Sequence, residues 1–258
     1  MTTHAIPRSR SVGAPITPRI TLAVASRVLT QLRRDHRTLA MLLVLPCLLI
    51  SLLWWMFEGT SIFDLVGPAL LAMFPFIVMF LVTSVTTLRE RSSGTLERLL
   101  SMPMGKLDFL LGYALAFGLV AAVQSALAVG LSVGLLGLEV VGPVWLLTLV
   151  AVADAVLGTA LGLLVSAFAQ TEFQAVQFMP LLVIPQILLC GLFVPRELLP
   201  GVLEAVSNVL PLSYAVDAMQ QLTRTAETGE VWRDLAVVAG FALAGLTLGA
   251  ATLRRRTA

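Results

Sequence analysis

Long apolar runs separated by short polar breaks dominate this chain. Six of them are long enough to cross a hydrocarbon core, which takes about 20 mostly apolar residues. They fall near Leu39–Phe57, Leu65–Leu88, Phe109–Leu138, Pro143–Ala169, Phe173–Val194 and Val231–Leu253. A soluble core accounts for one or two such runs, not six. Before the first run the pattern changes: Leu22, Val28, Leu29 and Leu32 recur at helical spacing with Arg27, Arg33, Arg34 and Arg37 between them. This predicts an amphipathic interfacial helix over residues 20–38. The alternative is a basic stop-transfer flank with no helix of its own. Residues 1–19 are polar, contain Pro7, Pro15 and Pro18, and are expected to form a disordered cytosolic tail. The tail is basic and acid-free, so a transit peptide is its alternative; it lacks the small-residue cleavage site of a signal peptide.

The stretch after the fifth run has a different period. Leu198, Leu199, Val202, Leu203, Val206, Val209 and Leu210 repeat at steps of three and four, with Glu197, Glu204, Ser207 and Asn208 on the other face. Too short and too polar to cross, it predicts an amphipathic or re-entrant helix entering from outside and broken at Pro211. A second short helix, Leu212–Leu222, leads to the last span. The expected fold class is therefore all-α: a polytopic membrane protein with six transmembrane helices, an N-terminal interfacial helix and an external re-entrant segment before the last span.

Composition agrees. Hydrophobic residues make up 58% of the 258 and mean hydropathy is +0.93, against roughly 45–50% apolar content in soluble domains. Net charge is only +2; its distribution says more. Seven arginines precede the first span, Arg254–Arg256 follow the last, and Arg89, Arg91, Arg98 and Lys106 lie between the second and third, leaving Arg196, Arg224 and Arg233 elsewhere. The positive-inside rule then places both termini and the 89–108 segment in the cytosol, in a multi-pass protein of the cell membrane. Nucleic-acid binding is not indicated, because no stacking aromatics interleave with the arginines. Trp54 and Trp55 suit the outer interfacial belt. Cys47 and Cys190 sit inside apolar runs and read as small apolar fillers rather than a disulfide or metal pair.

Candidate chemistry is sparse. Gly105-Lys106 fails as a P-loop, since Leu100 stands where the first glycine belongs and Leu107 replaces the Ser/Thr. No HExxH is present, and His4 and His36 lie in the N-terminal flank. Two features remain. The first is the charged island Arg89–Asp108, whose charges alternate around an apolar face of Leu96, Leu99 and Leu100. Ser92 or Ser93 would cap a short helix there, starting near Gly94–Thr95 and ending at Pro103; the alternative is an ordinary solvated loop.

The second is Asp154, a carboxylate near mid-span, where insertion costs about 2.5–3.5 kcal/mol. Gln124 and Asp154 each lie roughly 22 Å above the inner ends of their spans, at about 1.5 Å per residue. They are expected to share a hydrogen bond, either locking two helices or serving a substrate or proton path. Gly130/Gly134, Gly158/Gly162 and Gly245/Gly249 form GxxxG pairs that permit close helix contact. Met73–Phe80 reads as a greasy path, a lipid-facing stripe or core.

Glu90-Arg91, Gly94-Thr95-Leu96-Glu97 and Pro103, directly after a second span, resemble the membrane subunit of ABC-2 type transporters. Gly191–Pro195, Leu199-Pro200 and Leu210–Ala215 are similar to that family's external re-entrant region. The resemblance covers nearly the whole chain beyond Ile20 and is nearest to daunorubicin and antibiotic-resistance exporter permeases. It implies an ABC-2 transmembrane domain over residues 20–258 and a permease that exports amphipathic drugs, antibiotics or lipids. It also implies two copies of a separate P-loop ATPase subunit, which would bind ATP and Mg, so that this chain needs no cofactor of its own and is not an enzyme. The permease would pair with a second copy or a paralogue.

Glu90, Arg91, Gly94, Thr95, Glu97 and Pro103 match the family's cytosolic coupling segment, and Arg98 joins them on its charge. Pro195, Pro200, Pro211 and Tyr214 match the external segment. Two rivals stand beside this reading: a proton-coupled secondary transporter using Asp154, and a non-transport membrane scaffold.

Overall fold

The computed structural model describes residues 17–92 and 106–252. Among them there are helices and no strands. The order is α1 (Pro18–Arg34), α2 (His36–Met56), α3 (Ile62–Ser92), α4 (Lys106–Gly134), α5 (Val144–Phe168), α6 (Glu172–Leu189), a 3-10 turn at Arg196–Leu198, α7 (Gly201–Ser207), α8 (Pro211–Arg224) and α9 (Gly229–Thr252). Six of these, α2 to α6 and α9, are long and apolar enough to cross a membrane, as the hydropathy pattern predicts.

The helix bounds have local causes. Pro18 opens α1, where a missing N–H costs nothing. Residues 20–38 were expected to form one interfacial helix, but α1 stops at Arg34 and Asp35 leaves the helical region at φ −90°, ψ 77°. Its carboxylate accepts from Thr38 N (3.1 Å) and Thr38 Oγ1 (2.7 Å), capping α2. The first crossing helix therefore begins at His36, in the basic flank. At the other end of the chain the expected helix over Leu198–Leu210 is only α7, and the fifth span stops at Leu189, not Val194. Gly191 explains the early stop: its φ of +94° turns the backbone through the left-handed region that side chains avoid. The third span likewise ends at Gly134, four residues short of expectation, before Gly137 at φ +72°.

Packing centres on α3 and α5, the most extensive helix pair. A Cβ added at Gly158 would lie 2.5 Å from Phe76 O, and one at Gly162 2.5 Å from Phe80 O. Both contacts advance along the chain together, so α3 and α5 run parallel with their backbones nearly touching. Gly245 and Gly249 of α9 approach Ala160 and Leu164 of α5 less tightly, again in parallel. The antiparallel partner is α4, where Ser125 Oγ donates to Ala151 O (3.1 Å). Gly130 and Gly134, by contrast, have nothing within 4 Å of an added Cβ, so two of the three GxxxG pairs pack and the third faces outward.

Phe76, Met79 and Phe80 are fully buried and form core rather than a lining. Helix α8, too short to span, buries Leu212, Ala215, Val216, Met219 and Leu222 against α3, α5 and α9. α2 and α6 show most of their apolar side chains to the surroundings. Trp145 and Trp232, at the matching ends of α5 and α9, meet in a tilted ring contact with centroids 6.2 Å apart, a placement that suits an interfacial aromatic belt.

Candidate functional site

Polar side chains gather at three levels: the end of the bundle next to residues 93–105 (the island end), the middle, and the far end. At the island end α1 packs against α4 and reaches α3 through the side chain of Arg27. Gly112 makes this possible, because a Cβ there would fall 2.6 Å from Val24 Cβ and 2.9 Å from Thr21 O. Arg27 of α1 donates through Nη2 to Glu90 Oε2 of α3 (2.7 Å) and to Tyr113 Oη of α4 (2.8 Å). The Tyr113 hydroxyl also donates to the same Glu90 oxygen. Glu90 and Tyr113 are buried, while Arg27 is about one-third exposed.

A second tie joins the same helices. Asp108 Oδ1, in the first turn of α4, accepts from Thr17 N (2.8 Å) and Thr21 Oγ1 (3.0 Å). That position also places the carboxylate at the positive end of the helix dipole. A third tie reaches α6: Arg89 Nε and Nη2 donate to the two carboxylate oxygens of Glu172 at 3.0 and 3.1 Å. The helices flanking the island are thus tied to α1 and to α6.

Among the expected coupling residues, Glu90 is at the centre of this clasp and Arg91 lies in the last turn of α3. Gly94, Thr95, Glu97, Arg98 and Pro103 lie outside the described residues, as does the expected short island helix. Ser92, expected as one possible cap of that helix, belongs to α3 and donates to Arg89 O (3.0 Å). Arg27, Tyr113 and Glu172 are participants that sequence reasoning missed. Tyr113 carried a signal, being one of only two tyrosines in the chain: a phenol in an apolar run needs a place for its hydroxyl.

In the middle, Gln124 and Asp154 are fully buried, but they do not bond to one another. Both amide atoms of Gln124 and both carboxylate oxygens of Asp154 lack a hydrogen-bond partner. The expected hydrogen bond does not form, and rotation about the helix axis is the reason. Ser125 meets α5 at Ala151 O, and Gln124, one position earlier, points about 100° away around the helix. Asp154 is one turn before Gly158, toward the face of α5 that packs on α3.

The far end is built around Arg196. Its Nε donates to Ser207 Oγ (2.9 Å), its Nη1 pairs with Asp217 of α8, its Nη2 donates to Asn208 Oδ1, and its guanidinium carbon lies 5.1 Å from the Tyr214 ring centre. Ser207 Oγ donates in turn to Leu189 O (2.7 Å), and Tyr214 Oη to Asn208 O (2.7 Å). Burial pushes the Asp217 carboxyl up to about 6, against the pull of Arg196.

Of the residues expected here, Tyr214 joins the cluster, while the prolines act as punctuation. Pro195 and Pro200 stand at the N-caps of the 3-10 turn and α7, and Pro211 opens α8. α7 is turned with Ser207 inward and Val202 and Val206 outward, and Val209 just beyond it is also exposed.

No group of three or more His, Cys, Asp or Glu side chains among the described residues is arranged to hold a metal ion. Both polar ends tie neighbouring helices together.

Comparison with known proteins places these features in a family. Residues 20–223 match the model of the ABC-2 type transporter family. Over 171 residues the chain is 29% identical to the probable multidrug ABC transporter permease YbhR of Escherichia coli (strain K12), covering 66% of this chain and 46% of that one. It is 28% identical over 182 residues to the inner membrane transport permease YhhJ of the same organism, covering 70% and 48%. ABC transporter G family member 20 of Dictyostelium discoideum is 24% identical over 164 residues, covering 64% of this chain and 22% of its own. The chain therefore matches about half the length, or less, of these relatives. With the match extending from α1 through most of α8, this multi-pass membrane protein belongs to the ABC-2 type transporter family.

Proposed function

We propose that this chain is the membrane-spanning permease of an ATP-binding-cassette exporter. Its cargo would be amphipathic drugs, antibiotics or lipids, moved out of the cytoplasm or the inner leaflet. Residues 20–258 act as one transmembrane domain, with the island end and both termini in the cytosol. ATP and Mg are held by a separate P-loop ATPase present in two copies, and the permease pairs with a second copy or a paralogue. The observation that carries this reading is the lacing of the island's flanks: α3 and α4 are tied to α1 through Glu90, Tyr113 and Asp108. A push on residues 94–103 by an ATPase cannot stay local, because it moves three helices together. The names of the relatives YbhR and YhhJ support transport, and the first supports multidrug cargo.

Coupling is assigned to Glu90, Arg91, Gly94, Thr95, Glu97, Arg98 and Pro103. In this reading closure of the ATPase dimer displaces the island, the clasp carries that displacement into α1, α3 and α4, and the pathway opens at the far end. The test is co-purification of a P-loop ATPase with the tagged chain, followed by reconstitution of the pair in vesicles. Reversing charge at Glu97 and Arg98 should preserve membrane insertion and abolish substrate-stimulated ATPase activity. Unchanged efflux in that variant removes the island from the mechanism. Efflux that follows the proton gradient without ATP would favour a secondary transporter instead.

A further inference from the structure

Four arginines, Arg27, Arg89, Arg196 and Arg233, are paired with carboxylates. Arg33, Arg34 and Arg37 are exposed and form no ion pair among the described residues, although they crowd into five residues at the corner between α1 and α2. The one acid among them, Asp35, spends its carboxylate capping α2 through Thr38. The corner thus presents three guanidinium groups with a deficit of negative charge, on a helix α1 that is itself tied to Asp108 and Glu90.

The surface of α2 beyond this corner identifies the partner. α2 leaves the corner with an exposed apolar stripe of Met41, Val44, Leu45 and Leu48. Leu48 is eleven residues beyond Arg37, about 16 Å along the helix at 1.5 Å per residue. One leaflet of a hydrocarbon core of about 30 Å is about 15 Å deep. The exposed stripe continues through Leu52, Trp55 and Met56 to the end of α2, and its first leaflet-length, headed by the three cations, is where an acyl chain of a phospholipid held at the corner would lie. Arginine forks suit a phosphodiester, which they can grip with two parallel hydrogen bonds. A zwitterionic headgroup would bring a cation into a corner that already has an excess.

We propose that the α1–α2 corner, through Arg33, Arg34 and Arg37, is a binding site for an anionic phospholipid whose acyl chain lies along the exposed stripe of α2. The test measures binding of phosphatidylglycerol and phosphatidylcholine to the purified full-length chain by native mass spectrometry, for the wild type and for the triple variant R33Q/R34Q/R37Q. With about a five-fold contribution per arginine at a membrane surface, the triple variant should bind phosphatidylglycerol on the order of 100-fold more weakly. The double variant R224Q/R233Q, altered at the far end, should bind as the wild type does.

A measurement on the wild type alone guards against misfolding of the variant. Phosphatidylglycerol binding should weaken as ionic strength rises from about 0.05 to about 0.5 M, because surface charges are screened over that range. Equal affinity for the two lipids, or indifference to salt, would overturn the proposal in favour of purely apolar contact. Undiminished phosphatidylglycerol binding by the triple variant, with loss of a co-purifying ATPase, would overturn it in favour of a protein partner at the corner.

Discussion

Arg27 and Glu90 are 63 residues apart in the chain and 2.7 Å apart in space, and Tyr113 donates to the same Glu90 oxygen. A hydrogen bond to a charged group contributes about 1.5–3 kcal/mol. Arg27 is one-third exposed, so solvent screening reduces its share. Arg27→Gln and Glu90→Gln should each lower stability in detergent by about 1–2 kcal/mol. The double variant should lose clearly less than the sum, since each single change already breaks the shared bond. Additive losses in a thermal denaturation cycle would show that the two side chains act independently.

Glycine positions separate packing from mere spacing. An added Cβ at Gly158 or Gly162 meets a carbonyl oxygen of α3 at 2.5 Å, and the backbone cannot swing aside as a flexible side chain would. Gly158→Ala and Gly162→Ala should each destabilise by about 1–3 kcal/mol through forced separation of α3 and α5. Gly130→Ala should be neutral or stabilising by up to about 1 kcal/mol, because its Cβ meets nothing and alanine is the better helix former. Equal effects at Gly130 and Gly158 in thermal unfolding would contradict the tight α3–α5 contact.

Asp154 can be assigned by the same measurement. A carboxyl that locked two helices would lose stability on conversion to an amide. Asp154 has no hydrogen-bond partner, and an unpartnered buried polar group costs about 1–3 kcal/mol. Asp154→Asn should therefore leave thermal stability unchanged, and Asp154→Leu should raise it by about 1–3 kcal/mol. A loss of efflux in a variant of undiminished stability would then assign the carboxyl a functional role. A marked drop in stability on Asp154→Asn would restore the structural lock.

The six crossings, the amphipathic α1 and the short α8 were legible because each rests on apolar periodicity, which the sequence displays directly. What escaped was set by side-chain chemistry and by rotation. Asp35 ended α1 four residues before expectation by capping α2. Gln124 is buried as expected of a mid-helix polar residue, but one position of helical twist turns it away from the Ser125–Ala151 contact with α5. The clasp at the island end joins residues 63, 86 and 87 positions apart, and no local pattern announces such pairings. Arg196 was legible only as one of few cations in its half of the chain, and its four polar and aromatic contacts appear only once the chain turns at Gly191.

That Arg196 cluster carries a pH dependence of defined sign. Asp217 titrates near 6 in the folded protein, raised from an ordinary value of 3.8 chiefly by burial. The folded state therefore holds the proton more tightly than the unfolded chain between about pH 4 and pH 6. The stabilising contribution of that proton is fully present below about pH 4 and is lost as pH rises through 6. The whole shift corresponds to about 3 kcal/mol, and partial exposure of Asp217 should reduce the observable part to about 1–2 kcal/mol. Asp217→Asn removes the titration, so stability plotted against pH for the wild type minus the variant should fall between pH 4 and pH 6 and level off above. Arg196→Gln removes the cation that favours the carboxylate, and should move that fall to higher pH. A difference curve that is flat, or that rises with pH over this window, would mean that Asp217 is not held in the buried environment described.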